Sequence, residues 1–334
     1  MRDFGYARAV EIADAVTALE DPRTSVIAGG TELLNWLRLG IADPEQVIDI
    51  GSLAELTGVE HDGDRLRIGS RTTLNEVGEH PLVERYAAAL ALSCRQAASH
   101  QIRNRATLGG NVLQRTRCPY FRAEEPLPWP CNKRAPGSGC ASRTGRHERQ
   151  AIFGWTDDCI AVQPSDPTVA LSALDAEVEL VGPAGQRRIP MREFHLTQAE
   201  AAAAGDPTRE TRLNPGELIV SYLLPVRPAQ VSAYVKVRER ASYEYAIVSA
   251  AAAVELSGDR ITAARVALGS VAQRPWRLDA AEAALVGQPL TREALLPVVD
   301  AAMADATPLP HNGFKVAMAR NAAMRALLNA GGMS

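Results

Sequence analysis

No stretch of this 334-residue chain approaches the roughly 18 consecutive apolar residues that a bilayer-spanning helix needs, and its mean hydropathy is −0.12. No membrane span is expected, and a composition of 46% hydrophobic and 22% charged residues points to a soluble globular protein. An excess of one charge is also missing: 36 Lys and Arg stand against 39 Asp and Glu, a net charge of −3. That balance creates no field to gather a polyanion, so nucleic-acid binding is not expected. Cysteine is scarce and odd in number, five in all. This argues against a disulfide framework and leaves metal ligation or burial as the usual fates of the thiols. The leading residues, Met1-Arg2-Asp3-Phe4-Gly5-Tyr6, lack the basic, apolar and small-residue regions of a secretory signal, so no export address of the chain's own is expected. An H-E-x-x-H motif, an ordered Ser-His-Asp set and recognisable paired carboxylates are absent too, which leaves hydrolytic chemistry without support.

At about 150 residues per domain, the length predicts about two domains. Val10, Ala13, Val16 and Leu19 share one helical face, Asp21-Pro22 stops that helix, and Val26-Ile27-Ala28 reads as a buried strand. The strand runs into Gly29-Gly30-Thr31, then a helix over 32–38 ending at Gly40, then a strand over 47–50. Further strands are expected at 66–69, 176–181, 218–224, 233–237, 247–256 and 261–268, and helices at 86–98, 168–175 and through to Leu328. Pro225 to Gln230 reads as a linker. Between 99 and 165 the periodicity disappears. A segment so long, and carrying Tyr120, Phe121, Trp129, Phe153 and Trp155, is wrong for a solvated linker and needs a partner, ligand or metal to order it.

Three constellations carry the chemistry. A strand delivering Gly29-Gly30-Thr31 to a helix start offers free N–H groups and a favourable dipole to an anion, although the pattern is neither G-x-G-x-x-G nor a P-loop. A second pair in Thr107-Leu108-Gly109-Gly110-Asn111 suggests that two turns hold the two ends of one pyrophosphate; two unrelated tight turns are the alternative. Third, Cys118, Cys131, Cys140 and Cys159 all fall in the irregular segment, at intervals of 13, 9 and 19 residues. Structural zinc prefers pairs about two to four residues apart, whereas iron–sulfur ligation tolerates looser spacing, so spacing leaves a cluster, zinc and free thiols open. Cys94 is expected to be a small buried residue. His147 and the basic residues Lys133, Arg134, Arg143, Arg146 and Arg149 are expected to be solvated.

Taken in order, Ala28-Gly29-Gly30-Thr31-Glu32-Leu33-Leu34, Thr107-Leu108-Gly109-Gly110-Asn111, Pro164-Ser165-Asp166 and Lys236-Val237-Arg238-Glu239-Arg240-Ala241-Ser242-Tyr243 resemble the FAD subunits of molybdenum hydroxylases, the xanthine and carbon monoxide dehydrogenase medium-subunit family. The resemblance runs from about Met1 to Leu328. Within that family, Gln114 to Phe121, Cys131 to Cys140 and Cys159-Ile160-Ala161 look like the flavoprotein subunits of bacterial periplasmic aldehyde oxidoreductases. The resemblance implies an α+β fold. A two-part FAD-binding domain of the vanillyl-alcohol-oxidase (PCMH) type would span 1–226, with an iron–sulfur-binding insertion at about 114–160, and a smaller α+β domain like that of carbon monoxide dehydrogenase flavoproteins would span 227–334.

It also implies that Ile27, Ala28, Gly29, Gly30, Thr31, Glu32, Leu33 and Leu34 line the FAD pyrophosphate, that Thr107, Gly110 and Asn111 line the passage to the flavin, and that Asp166, Ile219 and Lys236 form the flavin end. Cys118, Cys131, Cys140 and Cys159 would hold a [4Fe–4S] cluster. Glu32 stands where relatives often carry Asp or Asn, and Arg38 where they often carry Lys; both are mild departures. The implied role is electron transfer: a molybdopterin-binding large subunit oxidises an aldehyde, a small subunit with [2Fe–2S] centres carries single electrons, and FAD here passes them to an external acceptor. No residue of this chain need act as acid or base on the aldehyde. The implied assembly is a heterotrimer, cytoplasmic or periplasmic by co-export with a signal-bearing partner. The alternatives are a FAD subunit of a purine dehydrogenase or aromatic acyl-CoA reductase, a self-sufficient flavin oxidase, or a zinc-stapled binding protein with no enzymatic role.

Overall fold

The computed structural model describes residues 3–333, so the reading of Met1 and Arg2 lies outside the described residues. Three sheets organise them. In the first, strands β1 (Gly5–Arg8), β2 (Thr24–Ile27) and β3 (Gln46–Asp49) run parallel in the order β1-β3-β2, with Val26 paired to Ile48. Helices α1 (Ile12–Ala18) and α2 (Leu33–Leu39) make the crossovers that parallel strands require. Gly40 ends α2 in the left-handed conformation at φ 67°, as expected of a C-terminal glycine. Val10 lies outside α1 and is 85% exposed, so the expected apolar face starting there is not formed; Ala15 and Val16 are the residues α1 buries.

The second sheet is antiparallel, ordered β4-β5-β8-β6-β7, from β4 (Val59–Asp62), β5 (Arg65–Gly69), β6 (Glu177–Gly182), β7 (Gly185–Pro190) and β8 (Leu218–Pro225). Between β5 and β6 the chain leaves the sheet for α3 (Leu74–Glu79), α4 (Pro81–Tyr86), α5 (Ala88–Gln96), α6 (His100–Arg103), α7 (Leu108–Val112), the irregular segment 113–165 and α8 (Asp166–Ala173). The helix expected over 86–98 is α5, Ala88–Gln96, set off at Ala87 from α4, a helix the sequence reading did not anticipate. Two short helices, α6 and α7, occupy the start of the segment expected to be irregular. The third sheet is antiparallel, ordered β12-β11-β10-β9, from β9 (Gln230–Val237), β10 (Val248–Ser257), β11 (Arg260–Gly269) and β12 (Trp276–Arg277).

Strand β10 contains Ala250-Ala251-Ala252-Ala253, an unusual run for a strand because alanine has little β preference. Packing explains it. Side chains alternate across a strand, so Ala251 and Ala253 join the core shared with α5, α8 and the second sheet, while Ala250, Ala252 and Val254 join the core under the helix Phe314–Ala330. Small side chains on both faces let elements from both halves of the chain approach the same strand.

The junction is also tied electrostatically. Asp175, at the end of α8, accepts hydrogen bonds from Arg277 at 3.0 Å and Arg227 at 3.1 Å and forms an ion pair with Arg265. Burial alone would raise the Asp175 carboxyl, but Arg277, Arg265 and Arg227 hold it below its ordinary value of 3.8. A folded-state pKa below the unfolded one gives stability that is present above about pH 4 and lost as pH falls through the folded value. Asp175→Asn should therefore cost about 3 kcal/mol near neutrality and flatten the acid limb of stability against pH. Urea unfolding across pH would check this, and an acid limb unchanged from wild type would contradict it.

Candidate functional site

The first glycine turn joins β2 to α2. Its geometry demands glycine: a Cβ on Gly29 would lie 1.8 Å from the Arg105 carbonyl oxygen, and Gly30 adopts φ 73°. The contact presses the first turn against the segment that leads into α7, which carries the second glycine pair. That segment is fixed in turn to the second sheet, with Gly109 N–H donating to the Ser70 carbonyl at 2.8 Å and Leu108 N–H to the Thr72 carbonyl at 2.9 Å. The two glycine pairs thus face one space.

That space comprises two adjoining cavities. The first, about 280 Å³, is lined by Ala28, Gly29, Gly30, Thr31, Glu32 and Leu33 on one side and by Ser70, Thr107, Gly110 and Ile219 on the other. The second, about 290 Å³, shares Thr31, Glu32 and Gly110 with it and continues past Asn111, Gln114, Arg117, Asp166 and Tyr245. Helix α2 begins without a side-chain cap, but the Leu34, Asn35 and Trp36 N–H groups already bond the Gly30 and Glu32 carbonyls, so the donors open to an anion are those of the glycine turn before it. An elongated apolar cleft with backbone donors part-way along suits a dinucleotide.

The residues expected to line this cleft are distributed unevenly. Ala28 to Leu33, Thr107, Gly110 and Ile219 line the first cavity, and Asn111 and Asp166 the second. Ile219, expected at the flavin end with Asp166, lines the other cavity. Ile27 and Leu34 border neither; they pack beside Gly30, and Leu34 is 53% exposed. Lys236 stands behind the wall, donating to Asp166 at 2.7 Å and to the Gln96 carbonyl at 3.0 Å, while Tyr234 donates to the other Asp166 oxygen at 2.5 Å. Sequence reasoning gave no place in the cleft to Ser70, Arg117 or Tyr245: no motif marks Ser70 or Tyr245, and Arg117 was noted only as part of the Gln114 to Phe121 stretch. Arg117 lies over the Tyr245 ring at 4.4 Å and reaches Glu32 at 2.8 Å.

Glu32 accounts for its own departure from the family pattern. Its carboxylate accepts from Trp36 Nε1 at 2.9 Å, from Arg117 and from Arg122, two residues of the irregular segment. The longer side chain latches the first glycine turn to that segment.

Cys118, Cys131, Cys140 and Cys159 line a single cavity closed by Tyr120, Phe121 and Ala161. Local turns deliver them: Cys118 and Cys131 each open a turn in which following N–H groups close on the cysteine carbonyl, and Cys131 and Cys140 face each other across an antiparallel bridge. Neighbouring backbone N–H groups pull these thiols down against burial, those of Phe121 and Tyr120 at Cys118, of Lys133 and Arg134 at Cys131, and of Ala161 at Cys159. Burial pushes up the Cys118 and Cys131 thiols, and takes Cys159 to about 12 against the opposing pull of Lys133. Cys94 stands apart, fully buried in the main core.

Among the described residues, no group of three or more His, Cys, Asp or Glu side chains is arranged to hold a single metal ion. The four thiols border one cavity of about 20 Å³ and together make up a donor set of the kind an iron–sulfur cluster takes. His147, expected to be solvated, is instead buried, stacked on His311 at 5.0 Å and accepting from its N–H. The expectation of solvation also fails for Lys133 and Arg134. Their side chains are 4% and 3% exposed because Glu210 pairs with Lys133, and Glu125 with carbonyls of 121, 123, 39 and 40 takes up Arg134.

Comparison with known proteins decides the family. Residues 2–227 match the FAD binding domain in molybdopterin dehydrogenase, and 233–330 the carbon monoxide dehydrogenase flavoprotein C-terminal domain. The chain belongs to the FAD-binding subunits of the molybdenum hydroxylases. It is 41% identical to the aldehyde oxidoreductase FAD-binding subunit PaoB of Escherichia coli K12, over 96% of each chain. With the carbon monoxide dehydrogenase medium chain of Hydrogenophaga pseudoflava it shares 27% identity over 97% of this chain and 96% of that one. A solved carbon monoxide dehydrogenase structure from the same organism superposes with a TM-score of 0.76 at 27% identity, covering 99% of this chain and 98% of that one. Membership in the molybdenum hydroxylase flavoproteins makes this chain an oxidoreductase subunit, and the α+β architecture expected from the sequence is the one observed. No helix among the described residues is long and apolar enough to cross a membrane.

For such a flavoprotein, Gly29→Ala should abolish FAD retention, because the added methyl meets backbone rather than a side chain that can turn aside. The flavin-to-protein ratio after gel filtration checks this; a fully flavin-loaded variant would contradict it.

Proposed function

We propose that this chain is the FAD and [4Fe–4S] electron-transfer subunit of a molybdenum-containing aldehyde oxidoreductase complex. The carrying observation is one of adjacency: Arg117 lines the second cavity, and the next residue, Cys118, lines the cavity of four thiols. Consecutive Cα atoms are about 3.8 Å apart, so the chain passes from the lining of one site to the lining of the other in a single residue. Four cysteine thiolates are a ligand set that a [4Fe–4S] cluster takes, and the family resemblance running through Cys118, Cys131, Cys140 and Cys159 is what sets it above a zinc staple. Lys133 and neighbouring backbone N–H groups pull the Cys131 and Cys159 thiols down against burial, which on balance raises them, so iron would displace their protons on binding.

In this reading, Ile27 to Leu34 hold the FAD pyrophosphate, with Ile27 and Leu34 supporting the turn from behind. Thr107, Gly110, Asn111 and Ile219 shape the cleft, and Lys236 and Tyr234 fix the Asp166 carboxylate at its far end. When bound, FAD supplies the capacity to take up electrons singly and release them singly or in pairs. The chain contributes position, dryness and charge. Substrate oxidation belongs to a molybdopterin-binding large subunit, with a [2Fe–2S] small subunit between, in a heterotrimer. The similarity to a protein named as an aldehyde oxidoreductase subunit, at 41% identity, favours an aldehyde over the purine or acyl-CoA alternatives. The chain divides near residues 226 and 227, with the cluster insertion at about 114–160.

The test is a visible spectrum with FAD, iron and zinc quantified on anaerobically purified full chain, repeated with Cys131→Ser. One FAD and a full complement of cluster iron per chain, with iron lost and FAD kept in the variant, is the expected result. Zinc in place of iron, or iron undiminished in Cys131→Ser, would overturn the assignment.

A further inference from the structure

The buried cations near the thiol cavity outnumber their carboxylates. Lys133 borders the cavity of the four cysteines on one side and, on the other, a small enclosed space lined by Thr116, His195, Glu210 and Gln273. Its Nζ lies 2.9 Å from Glu210 Oε1, and Arg115 Nε lies 3.0 Å from Glu210 Oε2. Burial alone would raise the Glu210 carboxyl, but Lys133 and Arg115 hold it at about 2. Two cations therefore share one ionised carboxylate.

Nothing else nearby cancels the surplus. His195 is fully buried, with burial lowering its pKa to about 4, so it adds no charge. Asp158, the acidic residue bordering the thiol cavity, is exposed. Arg134 has a carboxylate in Glu125, and Arg122 shares that of Glu32 with Arg117, so neither site offers a spare negative charge. An uncompensated buried charge is costly unless an anion lies against it. Four thiolates around an iron–sulfur core make such an anion.

We propose that Lys133 raises the reduction potential of the cluster held by Cys118, Cys131, Cys140 and Cys159, with Glu210 moderating its charge. The inference rests on the cluster reading above. The step concerned is the addition of one electron to the cluster, from reduced flavin in the complex or from dithionite in a titration, with no bond made or broken and no proton taken up. The added negative charge is stabilised by the buried ammonium, and net charge around a cluster is one of the determinants of its potential. Arg115, over the Phe121 ring at 4.6 Å, keeps Glu210 engaged.

The experiment is an EPR-monitored dithionite titration of the anaerobically purified full chain, wild type against Lys133→Met, Lys133→Arg and Glu210→Gln, with iron and FAD quantified in each. Lys133→Met should lower the midpoint potential, Lys133→Arg should hold it near wild type, and Glu210→Gln should raise it, all with iron retained. A merely structural role would give iron loss or shifts of one sign. Unchanged potentials, or shifts of the same sign in Lys133→Met and Glu210→Gln, would overturn the proposal. Should Lys133→Met lose iron, the direction in Glu210→Gln decides alone. A wild-type chain without iron would instead overturn the cluster reading, and the proposal with it.

Discussion

The close approach of Gly29 to the Arg105 carbonyl is the constraint on which the cofactor cleft depends. Any side chain at that position would force the first glycine turn off the segment that leads into the second. With the two turns in contact, and the second pinned to β5 and its following loop through Ser70 and Thr72, the parallel and antiparallel sheets hold opposite walls of one elongated space. Neither sheet makes a cleft alone. The α+β arrangement therefore serves to bring two backbone turns from different layers to the same dinucleotide.

The irregular segment 113–165 solves a different problem. It has almost no ladder to satisfy its carbonyls, and buried carbonyls must find donors. Long side chains supply them. Arg134 caps carbonyls of 121, 123, 39 and 40, and Arg122 caps those of 115 and 116. At the far end Lys315, fully buried in the C-terminal helix, donates to the carbonyls of 149, 150 and 270. Asn312 and Trp155 add three more such bonds. With both ends so clamped, the middle can bring four cysteines to one cavity without a regular element beneath them.

How much of this was legible in the sequence follows from the range of each interaction. The strands expected at 218–224 and 247–256 announced themselves through nearly continuous apolar runs, because both faces of β8 and most of β10 are buried, and those expected at 233–237 and 261–268 through the apolar parts of β9 and β11, whose burial is less complete. Gly29-Gly30 was legible because only glycine tolerates its geometry, whereas Gly109 and Gly110 are tight, with an added Cβ 3.1 Å from Ser70 and 3.0 Å from Thr107 Oγ1. Strand β1 was not, since its four residues are largely exposed and show no alternation. Nor were the short strands β4, β7 and β12, which take their conformation from neighbouring strands. The largest misjudgement concerned the basic residues of the irregular segment. A local run of Lys and Arg reads as solvated, yet the groups that bury Lys133 and Arg134 include Glu210 and the carbonyls of 39 and 40, far away in the chain. Convergence of the four cysteines was one of the readings that their spacing left open, and the family resemblance singled it out. Glu32 was noticed as an oddity, and only the fold displays the two arginines that explain it.

The central claim is that a four-iron cluster and the flavin occupy adjoining sites within this one chain. X-ray diffraction from crystals grown anaerobically, with data collected on both sides of the iron and zinc absorption edges, tests it most directly. The account predicts one iron-specific anomalous peak enclosed by the sulfurs of Cys118, Cys131, Cys140 and Cys159, and flavin density in the cavity lined by Arg117 and Asp166. A zinc-specific peak at the thiols, or sulfurs enclosing no anomalous scatterer beside an occupied flavin site, would contradict it.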